Sequence, residues 1–304
     1  MSRDGHRAAC SPERFILRIG AERTADPSPR RQRSGNPVSN PAESYESYMV
    51  PALFAPWASQ LVQRANPQPS ERVLDLACGT GVVARLAAPL LGSKGAVTAI
   101  DLSPTMLSVG RAAAEDEGLG IKWRQGRAEQ LPFADCSFDL VLCQFALMFF
   151  ANRAAALSEA YRILTGDGRL CLNVWQSLDR HPFYETLHHV IQRRLGMSTI
   201  MDIFALGDED ALYWLLTNAG FHRVEIEAVS ITARFPNPEG FLAGEVDLDT
   251  AAIPSMQALD LAGRRAIVAA IRNDMKEPLL EVTQGDHVVI PFHAFFARAV
   301  RPKV

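Results

Sequence analysis

The chain has 304 residues, 48% of them hydrophobic, enough to bury a substantial core as one large domain or a domain with an elaboration. With 31 basic and 34 acidic side chains and a net charge of −3, mixed along most of its length, it offers no broad basic face for nucleic acid. Its longest apolar run, Phe145 to Ala151, falls far short of the ~18–20 residues that span a bilayer. Five cysteines with neither a C-x-x-C pair nor metal-ligand spacing argue against a disulfide framework or a structural zinc, and for a reducing, cytoplasmic setting.

Residues 1 to about 40 hold eight arginines against four acids, with prolines at 12, 27, 29 and 37, and residues 1–43 read as a disordered Arg-rich tail. One domain is expected over 44–304. From Ser44 the pattern becomes ordered, first as one or two short helices broken near Pro51 and Pro56. Strands and helices then alternate. "RVLDLA" is a strand and Val82 to Leu91 a helix; "AVTAI" is a strand and Pro104 to Glu117 a helix, with Ser103 as N-cap. "IKWRQ" and "FDLVLCQ" are strands, Arg153 to Leu164 is a helix, and "GRLCLNVW" is a strand. Strands separated by helical stretches predict right-handed crossovers and an α/β, doubly wound, mainly parallel sheet. Later, "GDEDALYWLLTNAGF" is a helix closed by Gly220, and two long strands, "RVEIEAVSITARF" and "HVVIPFHAFFARAV", suggest an antiparallel pair at the sheet edge. Two helical segments, about 177–206 and 237–285, interrupt this plan and are expected to form a lid above the carboxyl ends of the strands.

The first strand runs into a glycine turn, "RVLDLACGTGVVARLA". Glycines there let backbone approach a ligand closely, and the helix start offers free N–H groups. The turn fits a relaxed G-x-G-x-x-A dinucleotide pattern, and Asp101, 20 residues beyond Gly81, ends the second strand where it can accept from ribose hydroxyls. That much suits NAD as well as other nucleosides. Asp75, four residues before Gly79, would repel a phosphate and suits a ligand with a positive amine.

Taken with its neighbours, "VLDLACGTGVVARLA" resembles the first motif of class I S-adenosylmethionine-dependent methyltransferases. "VTAIDLSPTMLSVGRAAAE" is similar to the second motif, "WRQGRAEQLPFADCSFDLVLCQFALMFF" to the third and fourth, and "RILTGDGRLCLNVW" to the stretch before the fifth strand. The likeness covers roughly residues 44 to 176 and is strongest to the subgroup that includes the ubiquinone/menaquinone C-methyltransferases. It implies a Rossmann-like sheet of seven strands with an antiparallel last strand, and S-adenosyl-L-methionine as cofactor. It also implies site residues. Asp75 would meet the methionine amine; Ala77, Gly79 and Gly81 would give close backbone. Asp101 would bind the ribose diol, and Leu102 and Met106 would pack on adenine. Ala128 would offer backbone to the adenine edge, Gln144 would border the methionine end, and Tyr45 and Tyr48 would close over the cofactor. The family commonly has Gly-Asp-Ala where this chain has Gly126-Arg127-Ala128; arginine cannot accept the adenine amino hydrogen, so either Glu129 or a backbone carbonyl substitutes, or cofactor affinity is lower. Gly166-Asp167-Gly168 stands in place of Pro-Gly-Gly and should change only a turn.

Methyl transfer requires alignment of the nucleophile and exclusion of water, and needs no metal. The expected partner is a small-molecule methyl acceptor, with no nucleic acid. Candidate bases in the presumed lid are His181 and Tyr184, then His188 and His189, while His293 alternates with aromatics and reads as packing at the sheet edge. Phe145, Phe149, Phe150, Phe183 and Tyr184 suggest an apolar or aromatic acceptor, or equally a core seam. Two other readings stand beside the methyltransferase: a non-catalytic cofactor-binding or interaction protein, motivated by Arg127, and an NAD-dependent oxidoreductase.

Overall fold

Short apolar runs ending at polar or glycine residues pair side by side to make the sheet. The structure is a computed structural model that describes residues 40–251 and 253–303. The expected disordered tail lies outside the described residues apart from residues 40–43. Strands β1 (Arg72–Leu76), β2 (Ala96–Asp101), β3 (Ile121–Gln125), β4 (Phe138–Gln144) and β5 (Leu164–Trp175) are parallel, in the order β3-β2-β1-β4-β5. Central-strand residues such as Val73, Leu74, Leu140 and Leu142 are wholly buried, as a sheet covered by helices on both faces demands, while β3 at the edge is exposed or half-buried. Two long strands complete it: β8 (His287–Val300) lies antiparallel between β5 and β6 (His222–Pro236), and two-residue β7 (Thr283–Gln284) pairs with β8. The late pair is therefore antiparallel as expected, but only β6 is an edge; β8 is an interior strand.

The helices follow from their caps. Helix α1 (Ala55–Ala65) carries Pro56 in its first turn, where its missing N–H costs nothing, and ends at Asn66 in the left-handed conformation. Before it, Tyr45–Phe54 is a π-helix, so the break expected at Pro51 does not occur. The wider register carries the chain past the proline, and the Ala55 N–H reaches back five residues to the Val50 carbonyl. Helix α2 (Val82–Ala87) gives way at Pro89 to a 3-10 turn over Ala88–Leu90, shortening the expected helix. In α3 (Pro104–Asp116) and α4 (Arg153–Ile163), Ser103 and Asn152 accept from the backbone N–H groups of Met106 and Ala155.

Both predicted insertions leave the sheet and return through closed necks. The first holds α5 (Pro182–Leu195), and its return point is Gly207, where a Cβ would stand 2.2 Å from the Ser177 nitrogen. After it, α6 (Glu209–Asn218), capped by Asp208, leads into β6. The second holds α7 (Pro238–Ala251) and α8 (Leu261–Asp274), and closes where the Asn237 N–H donates to the Asp286 carbonyl at 3.0 Å. The two excursions bind each other: Arg194 pairs with Asp274 at 2.8 Å, and the Thr199 hydroxyl donates to the Asp249 carbonyl at 2.9 Å. Among the described residues no helix is long and apolar enough to cross a membrane.

Candidate functional site

Residue chemistry at the carboxyl ends of β1 and β2 dictates the site. Asp75 sits in the middle strand of the parallel five and is 1% exposed. Its Oδ2 accepts from the Ala84 N–H of α2 at 2.9 Å. Desolvation pushes its pKa up to about 7; the Ala84 N–H pulls it down, and the nearby charge of Asp101 adds to the rise. A buried acid in that state gains from a cation.

After Asp75 the chain turns back through left-handed residues. Ala77 has φ +54°, Gly79 +56° and Gly81 +76°. At Gly81 the glycine is also sterically required: a Cβ would stand 2.4 Å from the Trp123 ring, which β3 lays across the turn and against Gly110 of α3. Gly79 leaves open space, with only the Tyr45 ring at 3.9 Å from where its Cβ would be. Its N–H donates to Asp101 Oδ2 at 2.8 Å, and the Ser103 N–H donates to Asp101 Oδ1, also at 2.8 Å. One backbone bond to each oxygen fixes the carboxylate while leaving lone pairs for hydroxyl donors. The Gly126 N–H donates to the Asp101 carbonyl at 3.0 Å, tying the loop that carries Ala128 and Glu129 to the same point.

Most of the residues singled out from the sequence converge here. Tyr45 feels the charges of Asp101 and Asp75; burial, above all, pushes its hydroxyl pKa well up. Its ring stacks on Phe54 at 5.1 Å, and the Phe54 carbonyl accepts from Gln144 Nε2 at 3.1 Å. The other amide oxygen, Gln144 Oε1, is buried without a partner, as is Nδ2 of Asn173, its register neighbour on β5. Leu102, beside Asp101, is 58% exposed, a large apolar side chain left open at the mouth, and Met106 is half-buried. Ala128 is buried, while Arg127 turns outward and lies 3.6 Å from Glu129. Partial burial pushes the Glu129 pKa up, but N–H groups of its own backbone and of Asn152, with the Arg127 charge, outweigh it and leave Glu129 below the usual carboxylate range. Glu129 is thus an ionised acceptor in the loop where Arg127 cannot serve.

Three of the candidates lie elsewhere. Tyr48 points toward the second excursion, donating to the Pro236 carbonyl at 3.1 Å. His181 is wholly buried with both ring nitrogens engaged: Nδ1 lies 3.1 Å from the Ser177 carbonyl, and Nε2 accepts from the His293 N–H at 3.0 Å. That pattern belongs to the neutral ring, and desolvation lowers its pKa to about 4. The expectation of His181 as a base is corrected: it has no free nitrogen and fastens the first excursion to β8. Tyr184 is buried against Phe204 and Phe292, and burial drives its pKa well up. Of the expected apolar acceptor wall, Phe145 stacks on Trp175 at 3.6 Å inside the core, Phe183 packs on Phe241, and Phe149 is 61% exposed.

Two acids escaped the sequence reading. Along α7, residues 241, 242, 245, 246, 249 and 250 form the buried stripe, and two of them are Glu245 and Asp249. Carboxyls at core positions of an amphipathic helix were the available signal.

Comparison with known proteins agrees with this geometry. A methyltransferase-domain family model matches residues 74–172. A ubiquinone/menaquinone biosynthesis C-methyltransferase from Shewanella sediminis is 30% identical over 185 residues, 56% of this chain and 73% of that protein. The protein of the same name from Xanthomonas campestris is 39% identical over 140 residues, 44% of this chain and 55% of its own. The chain spans about half the length of several curated relatives it matches. The crystal structure of a candidate methyltransferase from Bacillus halodurans superposes with a TM-score of 0.55 at 25% identity, over 81% of this chain and 99% of that one. The chain belongs to the class I S-adenosylmethionine-dependent methyltransferases. Its cofactor is S-adenosyl-L-methionine, and the nicotinamide alternative is set aside.

Proposed function

We propose that the protein transfers a methyl group from S-adenosylmethionine to a small, hydrophobic, aromatic acceptor. The convergence of Asp75, the Gly79 turn, Asp101 and Tyr45 carries the reading. When bound, the cofactor supplies a methyl carbon activated by a sulfonium. The buried Asp75 takes the methionine amine, gaining the counter-charge its site lacks. Ala77, Gly79 and Gly81 give close backbone, and Asp101, held by two N–H groups, accepts from the ribose hydroxyls. Leu102 and Met106 cover adenine, Ala128 offers backbone, and Glu129 accepts from the adenine amino group in place of the family's usual aspartate. Gln144 borders the methionine end through its free Oε1, and Tyr45, over the glycine turn, closes the pocket and excludes water. The two helical excursions form its lid.

The names of the relatives, C-methyltransferases of quinone biosynthesis, favour a hydroxylated aromatic ring methylated at carbon. Such a ring carbon is already nucleophilic, which suits a site where His181 is committed to structure. The test is transfer of radiolabel from S-adenosylmethionine to a panel of naphthalenediols, phenols and aromatic amines. Label in an aromatic product is expected. A protein that binds the cofactor yet labels none of the panel would overturn the acceptor class.

A further inference from the structure

Glu245 and Asp249 stand one turn apart on α7, 6% and 4% exposed, which places two carboxyl groups inside the second excursion. Burying a pair of acids is costly unless hydrogen-bond donors meet them. The donors present are too few. The Tyr184 hydroxyl of α5 bonds to Glu245, and the Thr250 hydroxyl is spent on the Val246 carbonyl at 2.7 Å. Asp249 Oδ2 is buried with no partner, although its charge and that of Glu245 both reach Tyr184. The surroundings are aromatic: Phe241 of α7 lies on Phe235 at 4.6 Å, and Phe292 lies 5.5 Å from Tyr184.

This cluster adjoins the cofactor site. Glu245 acts electrostatically on Tyr48, whose ring is 6.0 Å from Phe235. Tyr48 is three residues beyond Tyr45 on the π-helix, and Tyr45 overlies Gly79. The path from the glycine turn to the unpartnered oxygen is thus Tyr45, Tyr48, Glu245, Asp249.

We propose that Asp249, with Glu245 and Tyr184, is the recognition site for a phenolic hydroxyl of the methyl acceptor, whose O–H donates to Asp249 Oδ2 while its ring lies among Phe235, Phe241 and Phe292. A hydroxyl is the kind of donor the cluster already takes, since Tyr184 bonds Glu245 through its own O–H, while burial and the neighbouring Glu245 charge raise the Asp249 carboxyl well above its ordinary range. The groups facing the pair are Tyr184 from α5 and Tyr48 from the π-helix; among the described residues no cation is recorded against either acid. The proposal rests on the methyltransferase reading and adds the residues that choose the acceptor.

The test is calorimetric titration of the full chain, loaded with S-adenosylhomocysteine, with three probes of one ring size. These are 1,4-naphthalenediol, its dimethyl ether, which has no hydrogen to donate, and 1-naphthylmethylamine. The wild type should bind the diol about tenfold tighter than the ether, and Asp249→Leu should erase that preference by weakening the diol alone. Glu245→Gln, which keeps a bond to Tyr184, should retain more than half of it and serves should Asp249→Leu not fold. Equal affinity for diol and ether, equal losses of both in Asp249→Leu, no binding of either, or a stronger preference for the amine would each overturn the proposal. Failure to bind S-adenosylhomocysteine at all would instead overturn the reading beneath it.

Discussion

Asp75 shows how one buried side chain can couple cofactor and proton. Its carboxyl titrates near 7 because burial disfavours the charged form. A ligand bearing an ammonium favours that charged form, so binding should release a proton and affinity should rise with pH up to about 7, then level off. Calorimetry in two buffers of different ionisation enthalpy reads the proton directly. Asp75→Asn should flatten the profile and weaken binding at pH 8 by about tenfold or more. Gly81 sets a second residue-scale expectation. With φ +76° and Trp123 2.4 Å from a would-be Cβ, Gly81→Ala should cost about 2–5 kcal/mol, measured by denaturant unfolding. The glycine and both aspartates were legible because turn chemistry is local. Nothing local announced that Trp123, 42 residues on from Gly81, would press on the same turn.

Among the elements, the π-helix is held in place by Arg85 of α2. Its guanidinium bonds Glu46 at 2.6 Å and Glu117, just beyond α3, at 2.8 Å, with 9% of the arginine side chain exposed. Arg85→Ala should therefore free Tyr45 from the turn as well as remove the ion pair that holds Glu46. A loss of about 1–3 kcal/mol is expected, less than for a fully buried pair because Glu117 stays a third exposed. A thermal melt checks the stability, and weaker cofactor binding by the surviving folded protein checks the positioning. The element itself was legible only as helix. Proline marks a break in an α-register, and a single sequence carries no sign that the chain will widen to five-residue bonds around Pro51 instead. The excursions were legible as interruptions of a regular alternation, whereas the carboxyls inside one of them lay hidden in a helix whose other stripe positions are apolar or small.

At the scale of the molecule, the parallel character of the first half was readable because strands alternating with helices imply right-handed crossovers, but the step from β3 back across the sheet to β4 beside β1 was not. The insertion of β8 between β5 and β6 was not, since it depends on pairing His222 with Val300 across a long excursion. The summed titrations give a molecular expectation too. Asp75 and Glu245, raised to about 7, and Asp249, raised well above its ordinary value, bind protons in the folded chain that the unfolded chain releases near 4. Their stabilisation is full at acid pH and is lost as pH rises through 7. His181, lowered to about 4, works the other way, but only below its unfolded value of about 6.5. The melting temperature should therefore fall between pH 6.5 and 8.5, and the fall should shrink in a Glu245→Gln, Asp249→Asn double variant. The central claim, that the turn after β1 holds S-adenosylmethionine, is tested most directly by titrating the protein and its Asp101→Ala variant with S-adenosylhomocysteine. Micromolar binding by the wild type, weakened about tenfold to a hundredfold in the variant, is the predicted result. Equal affinity in both proteins, or no binding by the wild type, would contradict it.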